Sequence, residues 1–229
     1  MNSNFNNEKR RAAEAAVTFI RSNQTIGLGS GSTVRYAIEA IGELVKNGLV
    51  IRAVPTSRET ARLASALSIP LVAIGEVDHL DLNIDGADEF TGDLQMIKGG
   101  GGALFRERIV ALMSDQVIII ADSSKKVALL GKFTVPVETA PFAMNYVTQQ
   151  LHTLNGQATL RLNAGIPMIT EQGNHILDVD FGLISQPQIL SAQLNNIAGI
   201  VSHGLFIGIA NKIMMCQGNE LIVFDGIRK

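Results

Sequence analysis

The sequence predicts an α/β fold in which a mostly parallel sheet is flanked by helices, followed by a smaller ferredoxin-like α+β domain. Three observations carry this prediction. Strand-like and helix-like patterns alternate as far as Ala121, as in parallel sheets with helical crossovers. The run Val117–Ala121 (VIIIA) is apolar throughout, as expected of a strand buried on both faces. Near Gly131 the pattern changes to strand, helix, strand, strand, helix, strand, which is the order of small split α+β domains.

Composition limits the classes of protein to consider. Of 229 residues, 46% are hydrophobic and 17% are charged, which is typical of a globular protein with an ample core. The net charge of −2 and the lack of a basic run argue against a nucleic-acid partner. No signal-peptide core or membrane-spanning stretch is recognisable, so we expect no membrane association and a cytoplasmic location. The single cysteine, Cys216, lies in an apolar run and is expected to be a buried structural thiol.

The elements of the first part follow from apolar spacing. Apolar residues three and four apart predict helices, and short apolar runs predict strands. The predicted helices are Glu8–Ser22, Thr33–Lys46, Ser57–Ser68 and Ala103–Ser114. The predicted strands are Thr25–Leu28, Leu49–Val54, Leu71–Ile74, Leu80–Ile84 and Val117–Ala121.

The second part follows the split pattern. Its predicted strands are Phe133–Val137, Ala158–Leu162, His175–Phe181 and Ile200–Gly204, and its predicted helices are Phe142–Leu154 and Pro187–Asn196. Three final strands are predicted at Leu205–Ile209, Lys212–Cys216 and Leu221–Phe224, and we expect them to return to the first sheet. The expected domains are therefore residues 1–130 with 205–229, and residues 131–204.

The motif GLGSGST (Gly27–Thr33) lies between a predicted strand and a predicted helix. Backbone N–H groups at a helix start, with neighbouring serine and threonine hydroxyls, form a cradle for an anion. A dinucleotide fingerprint would need a glycine where Ser32 or Val34 stands, and a Walker loop would need a lysine that this motif lacks. The motif favours a small phosphate ester over a plain Gly-rich turn. Its binding residues are Ser30, Gly31, Ser32 and Thr33.

Acidic residues follow the predicted strand Leu80–Ile84 in the run DGADE. Ligands of parallel α/β sheets bind beyond the carboxyl ends of the strands, so these acids are expected to face a cleft. Asp85 and Asp88 are close enough in sequence to share one site with Gly86 and Ala87. Their spacing also fits some metal loops, but no histidine lies near them, so a site without metal is favoured.

A lysine and four glycines, Lys98–Gly102, form the next motif. Glycine lets backbone N–H groups approach a ligand closely, at an entropic cost that needs a reason. The lysine and these N–H groups can hold negative charge on a substrate oxygen. Glu107, nine positions after the lysine, can take a proton from carbon, although an ordinary exposed helix acid is the alternative. The glycines assigned to binding are Gly99, Gly100 and Gly101.

The run ADSSKK follows the buried strand Val117–Ala121, again at a carboxyl end. By itself such a run is typical of a surface turn. Together with the other three motifs, it supplies Lys125 as a phosphate ligand.

The motifs GSGST, DGADE, KGGGGALFRE and ADSSKKV resemble, in order and spacing, ribose-5-phosphate isomerase, type A. GKFTVPVE, EQGNHILD and GIVSHGLF are similar to the same family, so the resemblance covers nearly the whole chain. One departure is Ser30, where the family more often has threonine; the hydroxyl is retained. The resemblance implies a Rossmann-like catalytic domain with a small α/β domain, no cofactor, no metal, and a homodimer or tetramer. We expect the small domain, with its apolar sheet, to lie at the subunit interface.

The resemblance also implies an activity, the interconversion of ribose 5-phosphate and ribulose 5-phosphate through a cis-enediolate in the non-oxidative pentose phosphate pathway. Glu107 is then the base that carries a proton between C2 and C1. Lys98 and the N–H groups near Gly99–Gly101 stabilise the enediolate. Asp85 opens the furanose ring, and Asp88 binds the sugar hydroxyls.

The resemblance implies that Ser30–Thr33 and Lys125 bind the phosphate of that substrate. The alternative function is a non-catalytic sugar-phosphate sensor of the same fold. A sensor would carry a helix-turn-helix, for which too few residues precede the Gly/Ser motif, and would not need both Lys98 and Glu107. An acyl-CoA transferase of related fold would need a CoA pocket, and no other feature supports one. The isomerase is the favoured hypothesis.

Overall fold

The computed structural model describes residues 2–226. Within this range the helices are α1 (Asn2–Val17), α2 (Ser32–Lys46), α3 (Arg58–Ala66), α4 (Leu104–Leu112), α5 (Met144–Thr153) and α6 (Pro187–Asn195). The strands are β1 (Gln24–Leu28), β2 (Ile51–Pro55), β3 (Leu80–Gly86), β4 (Glu89–Phe90), β5 (Met96–Ile97), β6 (Ser114–Asp122), β7 (Val135–Thr139), β8 (Gln157–Leu160), β9 (Leu162–Asn163), β10 (Ile166–Pro167), β11 (His175–Asp180), β12 (Ile200–His203), β13 (Leu205–Phe206), β14 (Lys212–Gln217) and β15 (Glu220–Asp225).

The chain divides into two units. Unit 1 comprises the described residues up to Ala87, Arg106–Lys126, and the described residues from Ile209 onward. Unit 2 comprises Asp88–Phe105 and Val127–Gly208.

Unit 1 is built on a six-stranded sheet in the order β15-β14-β6-β3-β1-β2. The neighbouring strands from β14 to β2 are parallel, and β15 is antiparallel to β14. One face packs Ile26, Leu82 and Ile118 with the apolar sides of α1 and α2. The opposite side of β3 carries Asn83 and Asp85, which are fully buried. Because the strands are parallel, the carboxyl ends of β1, β2, β3 and β6 meet at one edge, which confirms the predicted α/β class.

The helices of unit 1 form where the sequence spaces its apolar residues. In α2 the buried residues recur at helical spacing, namely Val34, Ala37, Ile38 and Ile41. The N-cap of α3 is Ser57, whose side chain accepts a hydrogen bond from the N–H of Thr60.

Unit 2 contains three antiparallel sheets. The largest has the order β12-β7-β11-β8, with α5 and α6 packed on one face through residues such as Val137, Leu151, Leu177 and Leu194. A second sheet pairs β13, β5 and β4, and β9 pairs with β10. The strand order of the largest sheet is that of the predicted split β-α-β-β-α-β domain.

One predicted strand, and the predicted sheet of another, were wrong. Leu71–Ile74 forms a single bridge between Leu71 and Ala53 and then a 3₁₀ turn at Ile74–Glu76, because its pairing with the edge of β2 lasts only one residue. Leu205–Ile209 does not return to the first sheet. Its strand β13 pairs instead with β5 in unit 2, whereas β14 and β15 do return as predicted.

Other elements were missed or shifted. The two-residue strands β4, β5, β9 and β10 are too short to show a period. Helix α1 begins at Asn2 and ends at Val17, whereas Glu8–Ser22 was predicted. Residues 88–105 group with unit 2, because β4 and β5 pair within the sheet that holds β13. The expected domain boundaries at residues 130 and 205 stay a prediction, and residues 1 and 227–229 of the first domain lie outside the described range.

Candidate active site

The Gly/Ser motif forms the turn between β1 and α2 in unit 1. Gly31 is the N-cap of α2 and has a φ of 104°, a left-handed conformation that favours glycine. Within the described range no side chain caps this helix end, and Gly31 and Ser32 are exposed. An uncapped helix start at an exposed turn suits a phosphate, because its first N–H groups have no partner within the helix. The predicted cradle Ser30–Thr33 thus lies at a helix N-terminus.

The Ser30 hydroxyl belongs to a cluster of hydroxyl groups. Its Oγ lies 2.8 Å from Thr56 Oγ1 and 3.2 Å from Thr60 Oγ1, and it donates to Ser57 Oγ at 2.9 Å. Thr60 Oγ1 donates in turn to the carbonyl of Gly29 at 2.8 Å. This cluster holds the turn against the loop that follows β2. The contact predicted between the Ser30 hydroxyl and a phosphate stays a prediction.

Two lysines of unit 1 line one cavity near this turn. Lys9 Nζ on α1 donates to Ser32 Oγ at 3.0 Å and lies 3.9 Å from Asp122 Oδ2. Lys9 and the predicted Lys125 both line a cavity of about 260 Å³. Two ammonium groups and a cradle hydroxyl supply the charge and donors that a phosphate needs. Sequence reasoning missed Lys9, because no local pattern marks it and only the packing of α1 brings it to the cradle.

Asp85 ties the cradle to the end of β3. Its Oδ1 accepts hydrogen bonds from the N–H groups of Ser30, at 3.2 Å, and Gly86, at 2.7 Å. The side chain is fully buried. A Cβ at Gly29 would lie 2.0 Å from Asp85 Oδ1, so only glycine leaves room for this carboxylate. Asp85, the first residue of the DGADE motif, therefore contacts the GSGST turn within unit 1.

Glu107 lies near the start of α4 and is 4% exposed, so the alternative of an exposed helix acid is wrong. One turn later on the same helix, Val110 packs on the sheet. A Cβ at Gly27 would lie 2.4 Å from Val110 Cγ1 and 2.6 Å from Asn83 Oδ1. This close packing shows that α4 covers the face of the sheet to which Asn83 points.

The packing of α4 on this face fixes the position of Glu107 along the direction of the strands. The first residue of β3 donates its N–H to the carbonyl of Met113, so α4 ends where β3 begins and runs antiparallel to it. Glu107 therefore lies one turn, about 5 Å, nearer the carboxyl end of the sheet than Val110. Asp85 lies two residues, about 7 Å, beyond Asn83 in the same direction. Glu107 and Asp85 thus lie at nearly the same position along the strand direction of unit 1, towards the carboxyl end of the sheet.

In unit 2, Lys98 follows β5 and is 3% exposed. Its N–H donates to the carbonyl of Gly204 at 2.9 Å, and its Nζ lies 5.5 Å from the centroid of the Phe206 ring. A Cβ at Gly204 would lie 2.5 Å from the Lys98 carbonyl oxygen. The lysine backbone is thus held closely by Gly204, directly before β13, and its ammonium group makes a cation–π contact with the Phe206 ring.

The glycine run forms a tight turn in which Gly102 donates its N–H to the Gly99 carbonyl at 3.0 Å. The φ angles of Gly99 and Gly102 are 100° and 83°, which favour glycine. The N–H of Gly100 donates to Asp88 Oδ2 at 2.7 Å. Gly100 and Gly101 are exposed. Asp88 therefore engages the Gly100 N–H, and the Gly101 N–H belongs to the exposed central peptide of the turn.

Glu89, the last residue of DGADE, has a structural role. Its carboxylate is 3% exposed and accepts hydrogen bonds from the N–H groups of Gly131, at 2.9 Å, and Phe133, at 2.7 Å. It thereby fastens β4 to the segment before β7.

The remaining sequence expectations concern metal, thiol and membrane. Among residues 2–226, no three histidine, cysteine, aspartate or glutamate side chains gather into a metal site. Cys216 is buried in β14 as predicted, and burial raises the pKa of its thiol. No helix in the described range has the length and apolar character needed to cross a membrane.

The chain is similar in sequence to proteins of one known family. Residues 52–220 match the family model described as ribose 5-phosphate isomerase A (phosphoriboisomerase A). The chain is 47% identical over 221 residues to ribose-5-phosphate isomerase A of Sphingopyxis alaskensis, covering 96% of this chain and 97% of the relative. It is 48% identical over 216 residues to the Bacillus mycoides protein of the same name, covering 94% and 98%.

Solved structures are similar over the same length. The crystal structure of ribose 5-phosphate isomerase A from Neisseria gonorrhoeae matches with a TM-score of 0.89 at 40% identity, covering 96% of each chain. A D-ribose-5-phosphate isomerase in complex with phospho-erythronic acid matches with a TM-score of 0.93 at 35% identity, covering 97% of this chain and 99% of the other.

Proposed function

The chain belongs to the ribose 5-phosphate isomerase A family, and from this premise we propose how its residues carry out the reaction. It is an aldose–ketose isomerase that interconverts D-ribose 5-phosphate and D-ribulose 5-phosphate. The observation that carries the proposed roles is the position of Glu107, level with Asp85 at the sheet edge that also holds the phosphate cradle.

The reaction moves one proton from C2 to C1 and one from O2 to O1, and it leaves the carbon skeleton intact. A base removes the proton from C2 of the open-chain aldose, and the electrons form a cis-enediolate as O1 takes up a proton. C1 then regains a proton while O2 gives up its own, which yields the ketose. Such a carbon acid is weak, so the enzyme must hold a base at the carbon and stabilise the negative charge on oxygen. No redox change occurs between enzyme and substrate.

Glu107 is the proposed base. Its burial within unit 1 is consistent with a carboxylate that acts away from bulk water, and its level beside Asp85 suits two acids acting on adjacent atoms of one sugar. A positioned base typically contributes about 10²–10⁴-fold. Asp85 is the proposed group for ring opening and for proton exchange with the sugar oxygens.

Lys98 and the Gly101 N–H are the proposed partners of the enediolate oxygens. The tight turn presents the N–H without a Cβ nearby, and the buried ammonium adds a full charge. Loss of one such donor typically costs about 10²–10³-fold in turnover. Asp88 is proposed to bind sugar hydroxyls, with Oδ2 also engaging Gly100.

The phosphate is proposed to bind at the start of α2 between Lys9 and Lys125. The uncapped helix end, Ser32 and the two lysines supply N–H, hydroxyl and ammonium donors in unit 1. Thr33 continues the cradle on the first turn of the helix.

Assembly and location are also proposals. Apolar side chains on β9 and β10 are exposed, with Leu162 at 55% and Ile166 at 69%, which supports a homodimer or tetramer formed through unit 2. Sedimentation equilibrium of the wild type and of Ile166→Lys tests this. A single, buried cysteine fits the reducing cytoplasm, which cell fractionation tests.

The central experiment follows ketopentose formation from ribose 5-phosphate with purified protein and EDTA. Wild-type protein should convert the sugar, and Glu107→Gln should lose about 10²–10⁴-fold in kcat while still binding phospho-erythronic acid by calorimetry. The matched control is Glu39→Gln on α2, whose side chain is 40% exposed and pairs with Arg35. Turnover by Glu107→Gln above a tenth of wild type would remove Glu107 as the base. Saturable binding without conversion by the wild type would favour the sensor instead.

A further inference from the structure

Arg161, between β8 and β9 in unit 2, holds the glycine turn from behind. Its Nη1 donates to the carbonyl of Gly99 at 2.9 Å and to the carbonyl of Gly100 at 3.0 Å. Its Nε donates to Asp178 Oδ2 at 2.8 Å, and its Nη2 donates to Asp178 Oδ1. One guanidinium thus binds a carboxylate of β11 along one edge and two carbonyls of the turn with its remaining nitrogen.

The guanidinium itself is well fixed. The Arg161 side chain is 13% exposed and that of Asp178 is 25% exposed. The backbone of Arg161 is held too, since its N–H donates to Ile176 at 2.8 Å and its carbonyl accepts from Met168 at 2.9 Å. Because the planar guanidinium is held by Asp178 and its backbone is hydrogen-bonded, it loses little further freedom when it binds the two carbonyls. It can therefore impose an orientation on the glycine turn.

The two carbonyls determine where two N–H groups point. A trans peptide directs its N–H opposite to its C=O, so the Gly99 carbonyl orients the Gly100 N–H, and the Gly100 carbonyl orients the Gly101 N–H. The Gly100 N–H points to Asp88, as the 2.7 Å hydrogen bond shows. The Gly101 N–H is directed away from Arg161, on the exposed central peptide.

Glycine makes such support necessary. The backbone of Gly100 and Gly101 can adopt many conformations, and without a restraint the central peptide could rotate and turn its N–H away. A cation at the carbonyl also polarises the peptide, which makes its N–H a stronger donor. Arg161 therefore supplies orientation and polarisation to the same N–H group.

We propose that Arg161 is a positioning residue for the isomerisation, which fixes the peptide between Gly100 and Gly101 so that the Gly101 N–H meets the enediolate oxygen. This inference rests on the proposed function. Arg161 acts only through the turn and touches neither substrate nor the transferred proton. Its effect belongs to the step in which charge develops on oxygen, because the uncharged carbonyl oxygen of the substrate gains less from an oriented donor than the enediolate oxygen does.

The test compares Arg161→Lys and Arg161→Met with the wild type. Lysine can keep the ion pair with Asp178 but cannot also bridge both carbonyls, since it lacks the planar fork. We expect kcat to fall by about 10–10²-fold in both variants with KM for ribose 5-phosphate changed by less than about 3-fold. Affinity for phospho-erythronic acid, whose carboxylate stands in for the enediolate oxygens, should fall in parallel with kcat/KM. The thermal midpoint of Arg161→Lys should stay near that of the wild type.

The control is Arg52→Met, which removes a guanidinium that donates to Thr25 Oγ1 at 3.0 Å in unit 1. It should leave kcat and analogue affinity unchanged. Wild-type kcat and analogue affinity in a folded Arg161→Lys would overturn the inference, even if its melting temperature fell, since Arg161 would then be structural only. A wild-type chain that did not isomerise the sugar would overturn the proposed function and this inference with it.

Discussion

The carboxylate of Asp85 occupies the space beside the Cα of Gly29. A Cβ added to Gly29 would lie 2.0 Å from Asp85 Oδ1 and 2.7 Å from Asp85 Cα. The second distance involves backbone, so no side-chain rotation relieves the clash. The residue before the phosphate cradle and an acid of the site are therefore packed against each other across β1 and β3.

Gly29→Ala should therefore reduce both stability and turnover. We expect a loss of about 1–3 kcal/mol in the free energy of unfolding, because β1 and β3 must separate, and a clear fall in kcat/KM, because Asp85 must move. Urea unfolding and initial rates measure the two effects. Gly92→Ala is the control, since an added Cβ meets nothing within 4 Å there and no left-handed φ is needed. Equal stability of the two variants would contradict the packing described for Asp85.

Lys9→Met and Lys125→Ala should raise KM for ribose 5-phosphate more than they lower kcat. Loss of one charge-assisted hydrogen bond, worth about 1.5–3 kcal/mol, corresponds to a KM increase of roughly 10–100-fold. High salt should reduce the difference in KM between each variant and the wild type, because it screens the lysine charge. Initial-rate kinetics at two ionic strengths provide the measurement. Lys46→Ala, an exposed residue that pairs with Glu43, is the control. An unchanged KM in Lys9→Met would remove Lys9 from the phosphate site.

Glu8→Gln should destabilise the protein at neutral pH and much less in acid. Burial alone would raise the pKa of Glu8, but hydrogen bonds from the Gly218 N–H and from the N–H and hydroxyl of Ser123 outweigh it and lower the pKa. A lowered folded-state pKa means that the ionised group stabilises the fold above the pKa of the unfolded chain and that this contribution is lost as the pH falls through the folded-state value.

The expected loss for Glu8→Gln at pH 7 is about 1–3 kcal/mol, and it should shrink below about pH 4. Urea unfolding at a series of pH values gives the curve. Glu14→Gln, on the exposed side of α1, should track the wild type throughout. If the difference in unfolding free energy between Glu8→Gln and the wild type grew as the pH fell, the pKa of Glu8 would not be lowered in the folded protein.

Cys216 should react slowly with Ellman's reagent in the native protein. The thiol is buried, and burial raises its pKa despite the nearby charge of Arg11, so little thiolate is available. In guanidinium chloride one thiol per chain should react rapidly. Full labelling of native protein within seconds would mean that the thiol is accessible after all.

Much of the fold could be predicted because its signals are local. The apolar run Val117–Ala121 lies within β6, and the helical spacing from Thr33 to Lys46 matches α2 within one residue. Turn chemistry likewise marked the cradle at Gly31, where a positive φ requires glycine. The strands β4 and β5, and the sheet to which β13 belongs, could not be assigned in this way. Each has two residues, and their pairing depends on partners that lie up to about a hundred residues away in the chain.

The sequence by itself determined the strands of the six-stranded sheet, the order of the motifs and the family to which they point, because periodicity, glycine turns and acids at strand ends are properties of neighbouring residues. Only the tertiary structure decided that Lys9 reaches Ser32, that Asp85 requires glycine at position 29, and that Arg161 holds the Gly99 and Gly100 carbonyls. These contacts join residues that are 23 to 62 positions apart. Packing of whole helices and strands brings such residues together, and no local pattern records which distant side chain will fill a given space or satisfy a given carbonyl.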